Sequence, residues 1–407
     1  MVDRCRACGS GDLFFVLSLG STPLANSFVP AARLNDPEPS FPLEVQRCIR
    51  CELVQLTVVV AAESMFRDYV YSSSASAPLV AHFAAQADEV VRRFAPARSL
   101  VVEVGSNDGI LLRPLADRGA AVVGVEPAVG LARAANSAGL ETWNEFFSHE
   151  VARRIAARKG PAKAVLANNV LAHIDDLEDV LAALDALLDA DGVFIAEVPY
   201  LVDLLDRTEY DTIYHEHLAY FSIAALRALF ARGGLELFDA QRLTIHGGSV
   251  RIYVDRPGRR SVSSRLDALS AAEAVALAGS APYEQFATRV SSSKAALLDM
   301  LDRLSAAGSQ LAGYGATAKG NTLLNYCGIG RDRLGFIADT TPAKQGLYTP
   351  GMHIPVVPEE VLLRERPDRT LLLAWNYAEA ILERRADYIA TGGRFIHPIP
   401  TARSIPE

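Results

Sequence analysis

Two cysteine pairs, Cys5-Arg6-Ala7-Cys8 and Cys48-Ile49-Arg50-Cys51, put four thiols on two tight turns. Each turn aims two thiolates at one point, the donor set of a tetrahedral zinc ion. Cys5, Cys8, Cys48 and Cys51 would fill that ion's coordination, so the metal would be structural. It would brace a segment too small to bury a sufficient core alone. Disulfides or redox motifs are the competing use of such pairs. A reducing cytoplasm disfavours the first, and no thioredoxin-like strand precedes either pair. The fifth cysteine, Cys327, follows Leu323-Leu324-Asn325-Tyr326 and reads as a small buried hydrophobe.

The densest polar cluster is Tyr210-Asp211-Thr212-Ile213-Tyr214-His215-Glu216-His217. Its residue types suit a general base whose imidazole is oriented by a neighbouring carboxylate. H-x-H with Glu216 could instead ligate a metal, although the spacing is not the H-E-x-x-H of zinc proteases. A solvated loop is the third reading, and the aromatic neighbours Tyr220 and Phe221 argue against it. His173, within Asn168–Ile174, follows a predicted strand and either faces a reacting centre or is structural. Thr244–Arg251 carries a Gly247-Gly248 turn between apolar runs, which predicts a hairpin with Arg251 available to an anion.

These residues need a scaffold, and the chain reads as α/β. Ser99–Gly105, Ala121–Pro127, Ala164–Asn169 and Val193–Val198 are apolar strand-like runs separated by helical segments. Strands alternating with helices predict a doubly wound parallel sheet. The first loop is Glu103-Val-Gly-Ser-Asn-Asp-Gly109, too short between glycines for the dinucleotide fingerprint. An acid there and Glu126 ending the second strand suit a ligand with a cationic amino-acid part and a ribose. That acidic pattern resembles S-adenosylmethionine-dependent methyltransferases. After a helical linker, a second set of strands begins at Gln310 and carries Gly313-Tyr314-Gly315. This loop opens a helix next to Lys319, so it suits an anion: a nicotinamide dinucleotide or the diphosphate of a nucleotide sugar.

Composition excludes other classes. Of 407 residues, 40 are basic and 48 acidic, a net charge of −8, which argues against nucleic acid as a partner. No apolar run is long enough to span a bilayer, and residues 1–5 lack a signal-peptide core. A cytoplasmic enzyme with no membrane partner is expected, and a monomer; no coiled-coil heptads appear.

Taken together, the cysteine pairs, Pro23-Leu-Ala-Asn26, Tyr69-Val-Tyr-Ser-Ser73, Glu103–Gly109, Tyr214–His217, His246-Gly-Gly-Ser249, Gly313–Gly320 and Trp375-Asn-Tyr377 resemble the nucleotide-sugar C-methyltransferases, closest to the 3-C-methyltransferases of dTDP-4-keto-deoxyhexoses. The resemblance implies three parts: a zinc-binding domain (1–70), a Rossmann-like class I methyltransferase core (71–260), and a helical linker with a second Rossmann-like domain (261–407). It implies S-adenosylmethionine held by Glu103, Gly105, Asn107, Asp108, Gly109, Glu126, Pro127, Asn168 and Asn169. It implies a dTDP-linked ketosugar contacted by Tyr71, His173, Arg251, Lys319 and Asn376, and a C-terminal domain that works without NAD. His217 would be the base, oriented by Glu216, with Tyr214, His173 and Tyr71 donating to the enolate oxygen. Methylation at C5, an NAD-dependent sugar oxidoreductase and a non-catalytic nucleotide-sugar binder are the rival expectations.

Overall fold

The computed structural model describes residues 2–67, 73–75 and 77–406. Its central element is Leu100–Val104, a strand whose five residues are all buried. A strand with no exposed face must lie inside a sheet covered on both sides. It pairs in parallel with Ala121–Val125 and with Ala162–Asn168. The whole sheet runs Glu236–Leu243, Ser249–Asp255, Leu188–Pro199, Ala162–Asn168, Leu100–Val104, Ala121–Val125, Thr142–Trp143. Ser249–Asp255 is antiparallel to both neighbours, and Gly247-Gly248 lies in the hairpin turn that the sequence predicts. Strand order reverses at Leu100–Val104, so a crevice opens at its carboxyl end. Flanking helices start where short polar side chains cap them: Ser148 accepts from Val151 N–H and Asp176 from Asp179 N–H.

The first unit is an antiparallel meander, Leu13–Thr22, Phe41–Cys48 and Val54–Leu56. Its fourth strand, Ala219–Tyr220, is lent by the core. The last unit follows two helices, Ser264–Ala276 and Ala281–Ala306. Its sheet runs Val356–Pro358, Ile337–Asp339, Leu311–Tyr314, Arg369–Leu372, Arg394–His397, Arg403–Ile405 and is parallel except at the last strand. Val29–Pro30 of the first unit pairs with Leu347–Tyr348 of the last. The first unit therefore shares strand pairings with both the core and the last unit. One continuous set of buried apolar side chains runs from Cys5 and Leu43 through Val102 and Leu226 to Leu323 and Ile337. Among the described residues, no helix is long and apolar enough to cross a membrane.

Candidate functional site

A cavity of about 990 Å³ occupies the crevice and extends to the C-terminal unit. One wall is the carboxyl edge of the core sheet, from Val104–Asn107 to Asn168–Val170, and the opposite wall includes Gly315 and Thr317–Lys319. This is the upper end of the range for small-molecule sites, enough for two ligands side by side.

The sheet edge is acidic and unsatisfied. Gly105, Asn107 and Asn169 all adopt left-handed backbone conformations, with φ of 64°, 51° and 55°. That conformation suits glycine and, among other residues, asparagine. Glu126 accepts Asn107 N–H at 2.8 Å on one oxygen and Ala128 N–H at 2.8 Å on the other. Glu103 is buried, and its Oε2 has no hydrogen-bond partner among the described residues. Burial raises both carboxyls above their usual range, and for Glu103 the charges of Glu126 and Asp108 add to the effect. A ligand presenting an ammonium and ribose hydroxyls fits this edge. Pro127 and Asn168 also line the cavity, and Asn168 is held by reciprocal amide bonds with Gln86 at 3.0 and 3.1 Å. Two expected members do not line it. Asp108 turns away to accept from Ser74, and Gly109 packs where a Cβ would strike Leu140. They shape the loop from behind. Gly105 has no room for a side chain either, since a Cβ would run into Val170. Gly105→Ala is expected to weaken S-adenosylhomocysteine binding on the order of tenfold to a hundredfold by calorimetry, through backbone strain. Unchanged affinity would remove this loop from the cofactor site.

The candidate base, His217, is held by a turn. His217 N–H bonds to the Tyr214 carbonyl at 2.9 Å, so the first and last residues of the turn approach and their rings lie 4.1 Å apart. His217 Nδ1 stands 2.8 Å from the Thr212 carbonyl. A carbonyl only accepts, so in the neutral ring Nδ1 carries the hydrogen and Nε2 carries the lone pair. The Tyr214 hydroxyl donates to that Nε2 at 3.0 Å. His173 stacks on His217 at 5.0 Å and on Phe66 at 5.4 Å, and burial pushes its imidazole down to about 4. It is therefore a neutral ring at physiological pH. Tyr71 lies outside the described residues.

Glu216 does not orient His217. At the third position of the turn it points outward, accepts from Asn26 Nδ2 at 2.7 Å and faces Lys344. The Thr212 carbonyl takes the role the sequence reading gave to Glu216. Burial pushes Glu216 from 4.5 up to about 7. The native state thus binds this proton more tightly than the unfolded chain, and the group's contribution to stability falls as pH rises through that window. Glu216→Gln should gain on the order of 2 kcal/mol relative to the parent protein between about pH 5.5 and about pH 8 in urea unfolding. A pH-independent difference would show that Glu216 does not titrate as its burial demands.

The anion-binding expectation needs correcting at Arg251. Its guanidinium is buried, 2.7 Å from Glu197 and 2.9 Å from Glu89, and it lies outside the cavity wall. Glu197 in turn meets His82 Nε2 at 2.9 Å. Arg251 therefore fastens the helix Ala77–Arg93 to the sheet. Lys319 and Asn376 do line the cavity. Lys319 Nζ stands 3.6 Å from Glu209 and 5.2 Å from the Trp375 ring centre, and Trp375 Nε1 donates to Asp211 at 2.6 Å. The C-terminal unit therefore docks on the same turn that holds His217. Glu209 and Thr212 escaped the sequence reading: Glu209 precedes the polar cluster by one residue, and Thr212 acts through its backbone.

The four cysteines converge as their spacing predicts. All four Sγ atoms lie within 4.8 Å of one another, with Cys5–Cys51 and Cys8–Cys48 at 3.5 Å. A zinc tetrahedron with bonds of ~2.3 Å has edges of roughly 3.8 Å, so the set fits the ion. Each knuckle closes the same way, Gly9 N–H on the Cys5 carbonyl and Glu52 N–H on the Cys48 carbonyl. A hydrogen bond from Cys51 lowers Cys5 to about 5, and burial raises Cys48 to about 11. A divalent cation resolves that crowding of thiol and thiolate.

Three family models match in chain order: a zinc binding domain over residues 5–66, a methyltransferase domain over 80–240 and a C-methyltransferase C-terminal domain over 244–400. C-methyltransferase NovU of Streptomyces niveus is 39 % identical over 410 residues, covering 99 % of this chain and 97 % of that one. Among solved structures, the CcbJ methyltransferase from Streptomyces caelestis aligns at 15 % identity, covering 43 % of this chain and 89 % of that one, TM-score 0.33. Magnesium protoporphyrin IX methyltransferase from Synechocystis PCC 6803, with bound S-adenosylhomocysteine, aligns at 17 %, covering 44 % and 83 %, TM-score 0.35. The near full-length relative and the three domains in order establish that the chain belongs to the C-methyltransferases, a family that takes its methyl group from S-adenosylmethionine.

Proposed function

We propose that this enzyme methylates carbon 3 of a dTDP-linked 4-keto-deoxysugar through an enolate. The observation that carries the reading is the continuity of the cavity. It joins the acidic sheet edge, the Tyr214–His217 pair and the glycine loop of the C-terminal unit, so donor and acceptor can meet at the base. S-adenosylmethionine supplies an electrophilic methyl group. Glu103 and Glu126 hold its ammonium and ribose in this reading. His217 Nε2 removes the hydrogen from the carbon beside the ketone, because Thr212 keeps the other nitrogen protonated. Tyr214 shares that lone pair, and neutral His173 donates to the enolate oxygen. Holding the nucleophilic carbon in line with the methyl group is the remaining part of catalysis. Asn376 and the Gly313–Gly320 loop face the nucleotide.

The test is an assay with S-adenosylmethionine and a dTDP-4-keto-6-deoxyhexose, with the product located by NMR. A methyl group at C3 is expected, and S-adenosylhomocysteine should bind whereas NADH should not. A methyl group at C5 would correct the position. NADH binding without homocysteine-form binding would overturn the reading.

A further inference from the structure

Glu209 has no part in the chemistry above, yet its carboxylate lines the cavity beside Leu204, Thr212 and Gly248. The residue is 3 % exposed, and Oε1 has no hydrogen-bond partner among the described residues. The place is built for it. A Cβ on Gly247 would come within 2.6 Å of both Glu209 oxygens, and Gly247 has a φ of 100°. Gly248 gives the same clearance to Asp203, whose oxygens are taken by Arg242 at 2.6 and 3.0 Å. The Gly-Gly turn is thus shaped around two carboxylates, one satisfied and one facing the cavity.

Leaving a buried carboxylate oxygen without a donor is unfavourable, and such a group invites a ligand that completes it. Lys319 only partly does so. Its ammonium stands 3.6 Å from the other oxygen, Oε2, and the buried carboxylate of Asp211 also acts on it. A carboxylate oxygen left open suits a hydrogen-bond donor and not an ionised phosphate, which has no hydrogen to give. Burial, opposed by Lys319, sets Glu209 at about 7.

The same turn ties this carboxylate to the chemistry. Thr212 N–H bonds to the Glu209 carbonyl at 3.0 Å, and the Thr212 carbonyl holds His217 Nδ1. Glu209 and His217 both line the one cavity, so a single ligand can meet both. The geometry points to Glu209 as the residue that reads a hydrogen-bond donor, a hydroxyl or an ammonium, on the ring of the methyl acceptor. This deepens the ketosugar reading and rests on it. Lys319 then serves as the counterion of Glu209 rather than as a diphosphate ligand.

The test compares an accepted nucleotide ketosugar with an analogue in which that donor is replaced by hydrogen. The parent enzyme should prefer the donor-bearing acceptor by about tenfold or more in kcat/KM, as expected where a buried site is left unpaired. Glu209→Ala should erase the preference, mainly through KM, with S-adenosylhomocysteine affinity unchanged. Gly247→Ala should blunt it by displacing the carboxylate. If Glu209→Gln loses the preference as fully as Ala, the donor is an ammonium; if Gln keeps it, the donor is a hydroxyl. No preference in the parent enzyme overturns the assignment without recourse to any variant, as does a preference that survives Glu209→Ala. No turnover of any nucleotide ketosugar by the parent enzyme overturns both this assignment and the reading beneath it.

Discussion

His217→Asn should lower kcat by about 10³-fold, the usual contribution of a positioned general base. S-adenosylhomocysteine should still bind with the parent affinity, because the cofactor edge is formed by other elements. Asparagine can keep the bond to the Thr212 carbonyl but offers no basic atom where Nε2 stands. The decisive readout is exchange of the sugar hydrogen with solvent deuterium in the absence of methyl donor. It should vanish in His217→Asn. Exchange at the parent rate would sink the base assignment while leaving methyl transfer intact. Tyr214→Phe separates two roles for the phenol. If the hydroxyl only orients Nε2, exchange falls modestly; if it relays the proton, exchange falls as far as in His217→Asn.

Removing the metal should be as damaging, although the cysteines lie outside the cavity wall. Metal analysis of the parent protein should find one zinc per chain. Cys48→Ser, or a strong chelator, should release it and abolish turnover. The reason is a short mechanical path. The strand Val54–Leu56 follows the second knuckle and pairs with Ala219–Tyr220, two residues beyond His217. Leu56 N–H bonds to the Leu218 carbonyl at 3.0 Å, and Leu218 N–H bonds to the Ala172 carbonyl at 2.8 Å. Leu218 is therefore clamped between the metal-braced sheet and the turn that carries His173. In a small metal site, binding free energy is folding free energy, so without the ion this sheet loosens. Limited proteolysis should then cut residues 5–66 first, with the seven-stranded core retaining its circular dichroism. Full activity in a zinc-free enzyme would break the proposed path.

How far the residues alone reach is clear from particular cases. Apolar strands of five to seven residues, such as Leu100–Val104 and Ala162–Asn168, declare themselves through burial on both faces. The cysteine knuckles do so through thiol chemistry at fixed spacing. Glu126 is legible because an acid ending the second strand has a position dictated by topology. Two-residue strands such as Ala219–Tyr220 and Val29–Pro30 have no periodicity to read. Arg251 shows another gap: an arginine in a strand near a glycine turn looks like an anion ligand until burial beside Glu197 and Glu89 claims it.

Beyond the proposed base, His217, which the resemblance supplies, the sequence by itself determined the α/β architecture, the metal donor set and the acidic sheet edge. Those follow from local chemistry, because periodicity, spacing and strand ends are properties of short segments. Only the tertiary structure decided what orients that base. Glu216 is its neighbour in sequence, but a turn joins its first and last residues and throws the third outward. The carbonyl of Thr212 holds the ring instead, and strands and side chains from both flanking units hold the turn. Orientation of a side chain depends on contacts among residues distant in the chain, and no local pattern encodes them.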